Sequence, residues 1–169
     1  MLNVLLTGPP RCGKTTLLKN IIKEADLNAV GFYTEEVVEG SRRVGFDIVM
    51  LSGERFRLAS KKESFTPKVG SYSVYVRNID RVCDMLNSQI NEGDWQVIVI
   101  DEIGKMELLS LKFRKLILNI LETNKLLGTI MLKDNAFTAK IKNLKNTKLL
   151  RVDLLENEKL KKTVLSLIQ

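Results

Sequence analysis

Residues 8–15 of this chain read Gly8-Pro9-Pro10-Arg11-Cys12-Gly13-Lys14-Thr15. A short apolar run, Val4-Leu5-Leu6, comes just before them, and residues 15–22 have the composition of a helix. A strand, a glycine-bounded loop ending in Lys-Thr and a helix, in that order, are what a phosphate-binding P-loop requires. The sequence therefore predicts an α/β protein that binds nucleoside triphosphates.

Each part of this loop has a chemical reason to face a triphosphate. Gly8 and Gly13 allow backbone conformations that a Cβ would disfavour, so that successive N–H groups can point at phosphate oxygens. The following helix adds unpaired N–H groups and the positive end of its dipole. We expect Lys14 to reach the β- and γ-phosphates and the Thr15 hydroxyl to bind Mg²⁺, the predicted cofactor. The predicted nucleotide-binding residues are consecutive: Gly8, Pro9, Pro10, Arg11, Cys12, Gly13, Lys14, Thr15 and Thr16.

A second apolar run, residues 97–100, ends in two acids, Asp101 and Glu102. A run without polar alternation is typical of a strand covered on both faces, as in a parallel sheet between helices. Ligands of such sheets bind beyond the carboxyl ends of the strands. We expect Asp101 to hold Mg²⁺ together with Thr15, and Glu102 to orient a water molecule for in-line attack on the γ-phosphorus. The predicted catalytic residues are thus Lys14, Asp101 and Glu102.

Composition limits the class of protein. The chain has 169 residues, 44% of them hydrophobic, which suits one soluble domain. No apolar stretch approaches the roughly 18 residues of a membrane span. No leader segment is visible and the two cysteines form no motif, so we expect a cytoplasmic protein without a membrane partner. The absence of histidine excludes Ser-His-Asp and Cys-His catalysis and leaves acid–base chemistry to carboxylates, lysine or water.

The net charge is +7, and Lys and Arg are dense in the last third of the chain. Such a surplus can mark a nucleic-acid surface, but here no aromatic residues are interleaved with the basic ones. A solvated basic surface is therefore favoured over a nucleic-acid partner. The sequence identifies no protein partner.

The rest of the chain alternates between short strands and helices. The predicted strands are residues 29–38, 44–50, 54–59, 72–76, 126–132 and 148–152. Two of the predicted helices have their N-caps at Asn78 and Ser110. Two more span residues 135–143 and 160–168. Residues 60–71 have no period and are predicted to form a loop. We expect one domain, residues 1–169, with a β-hairpin and loop addition at about residues 36–76.

The order of the motifs resembles the RecA-like division of P-loop ATPases. The predicted strand at residues 29–38 lies between the P-loop and the Asp-Glu strand in sequence, and in that division a third strand separates these two in space. The strand that contains Thr129 is the candidate, which would put this hydroxyl near the γ-phosphate. A β-branched residue that simply suits a strand is an equal alternative. We expect a three-layer P-loop NTPase with a mostly parallel central sheet in RecA-like order and a small antiparallel β-hairpin addition.

Longer stretches resemble one small family, the nucleoside-triphosphatases of thermophilic microbes, whose animal relatives are the cancer-related nucleoside-triphosphatases. These stretches are residues 8–17, 31–36, 43–46 and 99–108, of which Asp101-Glu102-Ile103-Gly104-Lys105-Met106-Glu107 is the most specific. The resemblance implies slow, Mg²⁺-dependent hydrolysis of ATP, GTP and other nucleoside triphosphates to diphosphate and phosphate, with weak base selectivity. The chain departs from the family at residues 136–138, where relatives often have a histidine-containing segment.

A further cation near the γ-phosphate would assist the transfer. The candidates are Arg11 in the loop, Lys105 after the acids, and Arg42 or Arg43 at the hairpin. Two alternatives to a hydrolase stay open. A small-molecule or nucleotide kinase would need an arginine-bearing lid and an acceptor pocket, and a nucleotide-regulated nucleic-acid module would use the basic C-terminal region.

Overall fold

A computed structural model describes residues 1–152 and 157–168 of the chain. The strands are β1 (Asn3–Thr7), β2 (Ala29–Glu39), β3 (Arg42–Met50), β4 (Arg55–Ser60), β5 (Lys68–Val69), β6 (Tyr72–Val74), β7 (Val97–Ile103), β8 (Leu126–Ile130) and β9 (Thr147–Arg151). The helices are α1 (Lys14–Glu24), α2 (Val76–Glu92), a short 3₁₀ helix (Glu107–Leu109), α3 (Leu111–Glu122), α4 (Ala136–Lys142) and α5 (Asn157–Ile168).

The strands form one nine-stranded sheet in the order β5-β6-β4-β3-β2-β7-β8-β1-β9. The half from β2 to β9 is parallel, and β8 lies between the P-loop strand β1 and the Asp-Glu strand β7. Leu127 of β8 pairs with Val4 on one side and with Val99 on the other. The predicted RecA-like order is confirmed, and the strand that contains Thr129 is the separating strand.

The sheet has a hydrophobic core on each face. Ile98 and Ile100 of β7 pack in the cluster that α2 and α3 cover, whereas Val97 and Val99 pack in the cluster that α1 and α5 cover. Because successive side chains of a strand point to opposite faces, a strand covered on both sides needs apolar residues at every position. This explains the unbroken apolar run before the two acids and confirms the predicted three layers.

The antiparallel half continues the main sheet through β2. Residues 29–32 of β2 pair with β7 in parallel, and from Phe32 onward β2 pairs with β3 in the antiparallel direction. Gly31 makes the close approach to β7 possible, because a Cβ at this position would lie 2.0 Å from the carbonyl oxygen of Val99. One long strand therefore belongs to both halves of the sheet.

Two local predictions around the start of α2 are wrong. Val76 was expected at the end of a strand but begins α2, and the N-cap position belongs to Tyr75 rather than Asn78. The amide of Asn78 instead donates to the carbonyl of Arg57 at 2.8 Å, which ties the first turn of α2 to β4. In the expected loop at residues 60–71, a short strand, β5, pairs with β6. The predicted cap of α3 is confirmed, since Ser110 Oγ accepts from the Phe113 N–H at 3.0 Å.

Candidate active site

The phosphate-binding loop joins β1 to α1. Gly13, the residue before α1, has a left-handed backbone with φ of 88°, which glycine adopts without strain. Because Gly13 has no side chain to cap the helix, the first N–H groups of α1 remain available to an anion. The amine of Lys14 donates to the carbonyl oxygens of Gly8 and Pro9, both at 3.1 Å. The loop thus carries one positive charge next to the N-terminus of α1.

Two hydroxyl groups converge on Asp101, which is 1% exposed near the end of β7. Thr15 Oγ1, in the first turn of α1, donates to Oδ2 at 2.7 Å, and Thr129 Oγ1 of β8 donates to Oδ1. Burial raises the pKa of Asp101, whereas the hydrogen bonds from Thr129 and Thr15 lower it. The position of β8 between β1 and β7 brings these three side chains together. An acid and a hydroxyl in contact offer the oxygen ligands that Mg²⁺ prefers.

Glu102 lines an open cavity of about 460 Å³ beside the loop, a size that small-molecule sites commonly have, roughly 300–1,000 Å³. Burial raises the pKa of Glu102, the charge of Lys14 lowers it, and the charge of Asp101 raises it further. The two neighbouring acids therefore have different surroundings. Asp101 is enclosed by hydroxyl groups, and Glu102 faces the cavity.

Most of the residues predicted to bind nucleotide lie in the wall of this cavity. They are Pro10, Arg11, Gly13, Lys14, Thr15 and Thr16. Gly8 and Pro9 are outside this wall, and their carbonyl oxygens accept hydrogen bonds from Lys14. Cys12 is buried beneath the loop, where its Sγ would be 2.7 Å from a Cβ placed on Gly8. Thr129 is fully buried and outside the wall, in contact with Asp101.

The opposite wall comes from β2 and β3. It includes three residues to which no motif gives a role, Thr34, Glu36 and Phe46. Glu36 and Phe46 are direct partners in the β2–β3 register. All three lie within the stretches 31–36 and 43–46 that carried the family resemblance, and this is the signal that could have found them. Their position depends on the pairing of β2 with β3, which no short motif specifies.

Arg43 is the cation that β3 brings to the cavity. Its NH1 donates to Glu36 at 2.6 Å and its Nε donates to the hydroxyl of Tyr72 at 3.0 Å. The guanidinium carbon also lies 5.0 Å from the centre of the Phe46 ring. Hydrogen bonds to Tyr72 and Glu36 raise the pKa of Arg43. These contacts hold the charged group against the cavity wall.

The other candidate cations are placed differently. Arg11 lines the cavity, but its side chain is 75% exposed and lies 4.0 Å from Glu36. Arg42 is exposed and is not part of the wall. Lys105 lines a second cavity of about 190 Å³, which shares Thr34, Phe46 and Glu102 with the first.

The class of this molecule is a P-loop nucleoside-triphosphatase of RecA-like order. Three features define it: the loop between β1 and α1, the acid at the end of β7, and the intervening strand β8.

Comparison with known proteins gives the particular family. The model of a family described as NTPase matches residues 3–165, and the chain belongs to this family of nucleoside-triphosphate hydrolases. It is 36% identical to "Nucleoside-triphosphatase THEP1" of Thermotoga maritima, over 99% of this chain and 96% of that protein. It is 39% identical to the human "Cancer-related nucleoside-triphosphatase", over 89% of this chain and 87% of that protein.

Solved structures agree with this assignment. The crystal structure of THEP1 from Aquifex aeolicus is similar over 100% of this chain and 99% of that chain, with a TM-score of 0.85 and 33% identity. The solution structure of the human protein has a TM-score of 0.79 and 34% identity, over 100% of this chain and 98% of that chain. The predicted family, fold class and enzyme class are therefore confirmed. None of the helices in residues 1–152 and 157–168 is both long and apolar enough to cross a membrane.

Proposed function

We propose that this protein hydrolyses nucleoside triphosphates in the cavity between the P-loop and the β2–β3 wall, with Glu102 orienting the attacking water. One observation carries the proposal: Glu102 lines the same cavity as Lys14 and Thr15, whereas its neighbour Asp101 is outside the cavity wall and accepts a hydrogen bond from Thr15. A carboxylate that lines the same cavity as a phosphate-binding loop is suited to receive the proton of a water molecule.

The reaction follows from these positions. The loop N–H groups and Lys14 hold the triphosphate and stabilise the charge that develops on it. Glu102 accepts a hydrogen bond from a water molecule in line with the terminal phosphorus. As the water oxygen bonds to phosphorus, its proton passes to Glu102 and the diphosphate leaves with the electrons of the broken P–O bond. Burial raises the pKa of Glu102, and this makes its carboxylate a stronger base.

Mg²⁺ is the proposed cofactor, with Thr15 and Asp101 as the residues that would hold it. Their oxygen atoms lie 2.7 Å apart at the base of the loop, and both are the hard donors that this ion selects. The ion would neutralise charge on the β- and γ-phosphate oxygens.

Arg43 is the proposed additional cation. It lies in the cavity wall and is fixed by Glu36 and Tyr72, whereas Arg42 is outside the wall and Lys105 faces the second cavity. Arg11 also lines the cavity, but its side chain is 75% exposed and lies 4.0 Å from Glu36. A positioned guanidinium stabilises the transferring phosphoryl group better than a mobile one.

Broad base selectivity, slow turnover and a cytoplasmic location are also part of the proposal. The loop offers its contacts to phosphate groups, which all nucleoside triphosphates share. Both cysteines, Cys12 and Cys83, are free and buried, which suits a reducing compartment. We further propose that residues 1–169 work as one domain, with residues 36–76 as an addition that supplies one wall of the site.

A phosphate-release assay tests this function. Purified protein is given ATP, GTP, CTP or UTP, with and without Mg²⁺ and with no other acceptor present. We expect phosphate from all four nucleotides, and only with the metal. Formation of diphosphate that required an added alcohol or nucleotide acceptor would favour a kinase and overturn the proposal.

A further inference from the structure

Glu107 is a buried acid that the proposed reaction does not use. It is the first residue of the 3₁₀ helix and is 5% exposed. The hydrogen bonds that stabilise its charged form come from backbone N–H groups, its own and that of Gly104. Burial and the nearby charge of Glu102 raise its pKa to about 8. Burying an acid in this way is unfavourable for folding, so its presence calls for a reason.

The turn after β7 places Glu107 beside Glu102. A Cβ added to Gly104 would lie 2.9 Å from Oε2 of Glu107 and 3.4 Å from Oε1 of Glu102. The carboxyl groups of Glu107 and Glu102 therefore lie on the same side of Gly104, and a side chain at this position would press on the carboxyl group of Glu107.

The two cavities show on which side of Glu102 the carboxyl group of Glu107 lies. Glu102 lines both the nucleotide cavity and the second cavity, whereas Glu107 lines only the second. Glu107 thus lies on the side of Glu102 that does not face the phosphate-binding loop.

We infer that Glu107 is a positioning residue for hydrolysis, which holds the side chain of Glu102 toward the end of the triphosphate from its place beside Gly104. The inference rests on the proposed role of Glu102. A free glutamate side chain has three rotatable bonds, and a group that aims a water molecule must be held in one of its conformations. The raised pKa of Glu107 supports the inference, because an uncharged carboxyl group does not repel Glu102 and can donate a hydrogen bond.

A double-mutant cycle tests whether Glu107 acts through Glu102. Glu107→Gln keeps the shape and polarity of the neutral acid, and Glu107→Met keeps its length without polar atoms. Both are made in the natural sequence and in Glu102→Gln, and kcat, KM, nucleotide affinity and thermal unfolding are measured. Glu122→Met, at an exposed position of α3, is the control for a surface change and is expected to leave kcat unchanged.

We expect Glu107→Met to lower kcat about tenfold while KM changes less than about twofold, and Glu107→Gln to keep kcat within about twofold of the natural protein. In the Glu102→Gln background, Glu107→Met should lower kcat no further, because the group it positions has already lost its function. An equal loss in both backgrounds, or no loss in either, would overturn the inference.

The cycle also separates this inference from the proposed function. If Glu102→Gln alone hydrolyses ATP at the natural rate, the role of Glu102 is wrong. If Glu102→Gln is slow but Glu107→Met keeps full kcat, only the role of Glu107 is wrong. A Glu107→Met protein that fails to fold leaves Glu107→Gln and Gly104→Ala, whose Cβ would displace the carboxyl group of Glu107. Full kcat in a folded Gly104→Ala protein would contradict the inference.

Discussion

At the scale of single residues, the site contains two adjacent acids, Asp101 and Glu102, whose surroundings differ. Asp101 is enclosed and accepts two hydroxyl hydrogen bonds, so its charge is directed at the base of the phosphate-binding loop. Glu102 borders the cavity, with the amine of Lys14 as the nearby positive charge that lowers its pKa. Adjacent residues with separate surroundings can divide the tasks of metal binding and proton transfer.

Glu102→Gln is the sharpest test at this scale. The amide keeps the size of the side chain but cannot accept a proton from water, so we expect kcat to fall by at least about 100-fold. Nucleotide affinity, measured by titration with a fluorescent nucleotide, should stay within about threefold, since the loop contacts are unchanged. Unchanged turnover would remove Glu102 from the reaction.

At the scale of elements, β3 places Arg43 in the cavity wall. The sequence alone does not distinguish this residue from the other candidate cations. Arg43 and Arg42 are neighbours, yet only Arg43 reaches the cavity wall. We expect Arg43→Ala to lower kcat at least about tenfold, through loss of charge stabilisation at the transferring phosphate. Arg42→Ala is the matched control, with the same charge change and an expected kcat close to that of the natural protein. Equal effects of the two variants would show that net charge, not position, matters.

The junction of β2 with β7 gives a second prediction at this scale. In Gly31→Ala, the Cβ would lie 2.0 Å from the Val99 carbonyl oxygen, at a φ of 136°, and we expect a loss of roughly 2–4 kcal/mol in the free energy of unfolding. Gly40→Ala, at the β2–β3 turn, is the control. It also has a positive φ but no atom within 4 Å, so it should cost only about 1 kcal/mol. Denaturant unfolding of the two variants measures the difference, and equal losses would mean that the close approach is not what matters.

The elements also show what could be predicted from sequence. The apolar run before Asp101, the loop with Gly13 and Lys14 and the strand of Thr129 each carry a local signal, and from these the parallel half and its order follow. The sequence indicates the β2–β3 hairpin and its motif stretches, but not which of their side chains line the cavity, because the contact of Glu36 with Arg43 depends on the register of two strands. The cap at Tyr75 was missed for a similar reason, since Asn78 is used by a distant carbonyl of β4.

At the scale of the whole molecule, stability should respond to the buried acid Glu107. In the folded protein its carboxyl keeps its proton up to a pH of about 8, whereas in the unfolded chain it has its ordinary pKa of 4.5. Between these pH values the folded state binds more protons, so this group lowers the free energy of unfolding as the pH rises, by up to about 1.4 kcal/mol per pH unit.

The comparison of the natural protein with Glu107→Gln isolates this effect. Urea unfolding at pH 5, 6, 7 and 8 should show the natural protein losing stability relative to Glu107→Gln as the pH increases. Parallel curves for the two proteins would mean that Glu107 is charged in the folded state.

Because β2 belongs to both halves of the sheet, the arginine on β3 and the acids on β7 are parts of one continuous framework. Many enzymes of this kind borrow an arginine from a second protein and run at a rate set by how often the two meet. With Arg43 of β3 as the proposed cation, the site needs no arginine from a second protein. Turnover per molecule should stay constant on serial dilution, and a specific activity that fell with dilution would show that a second copy completes the site.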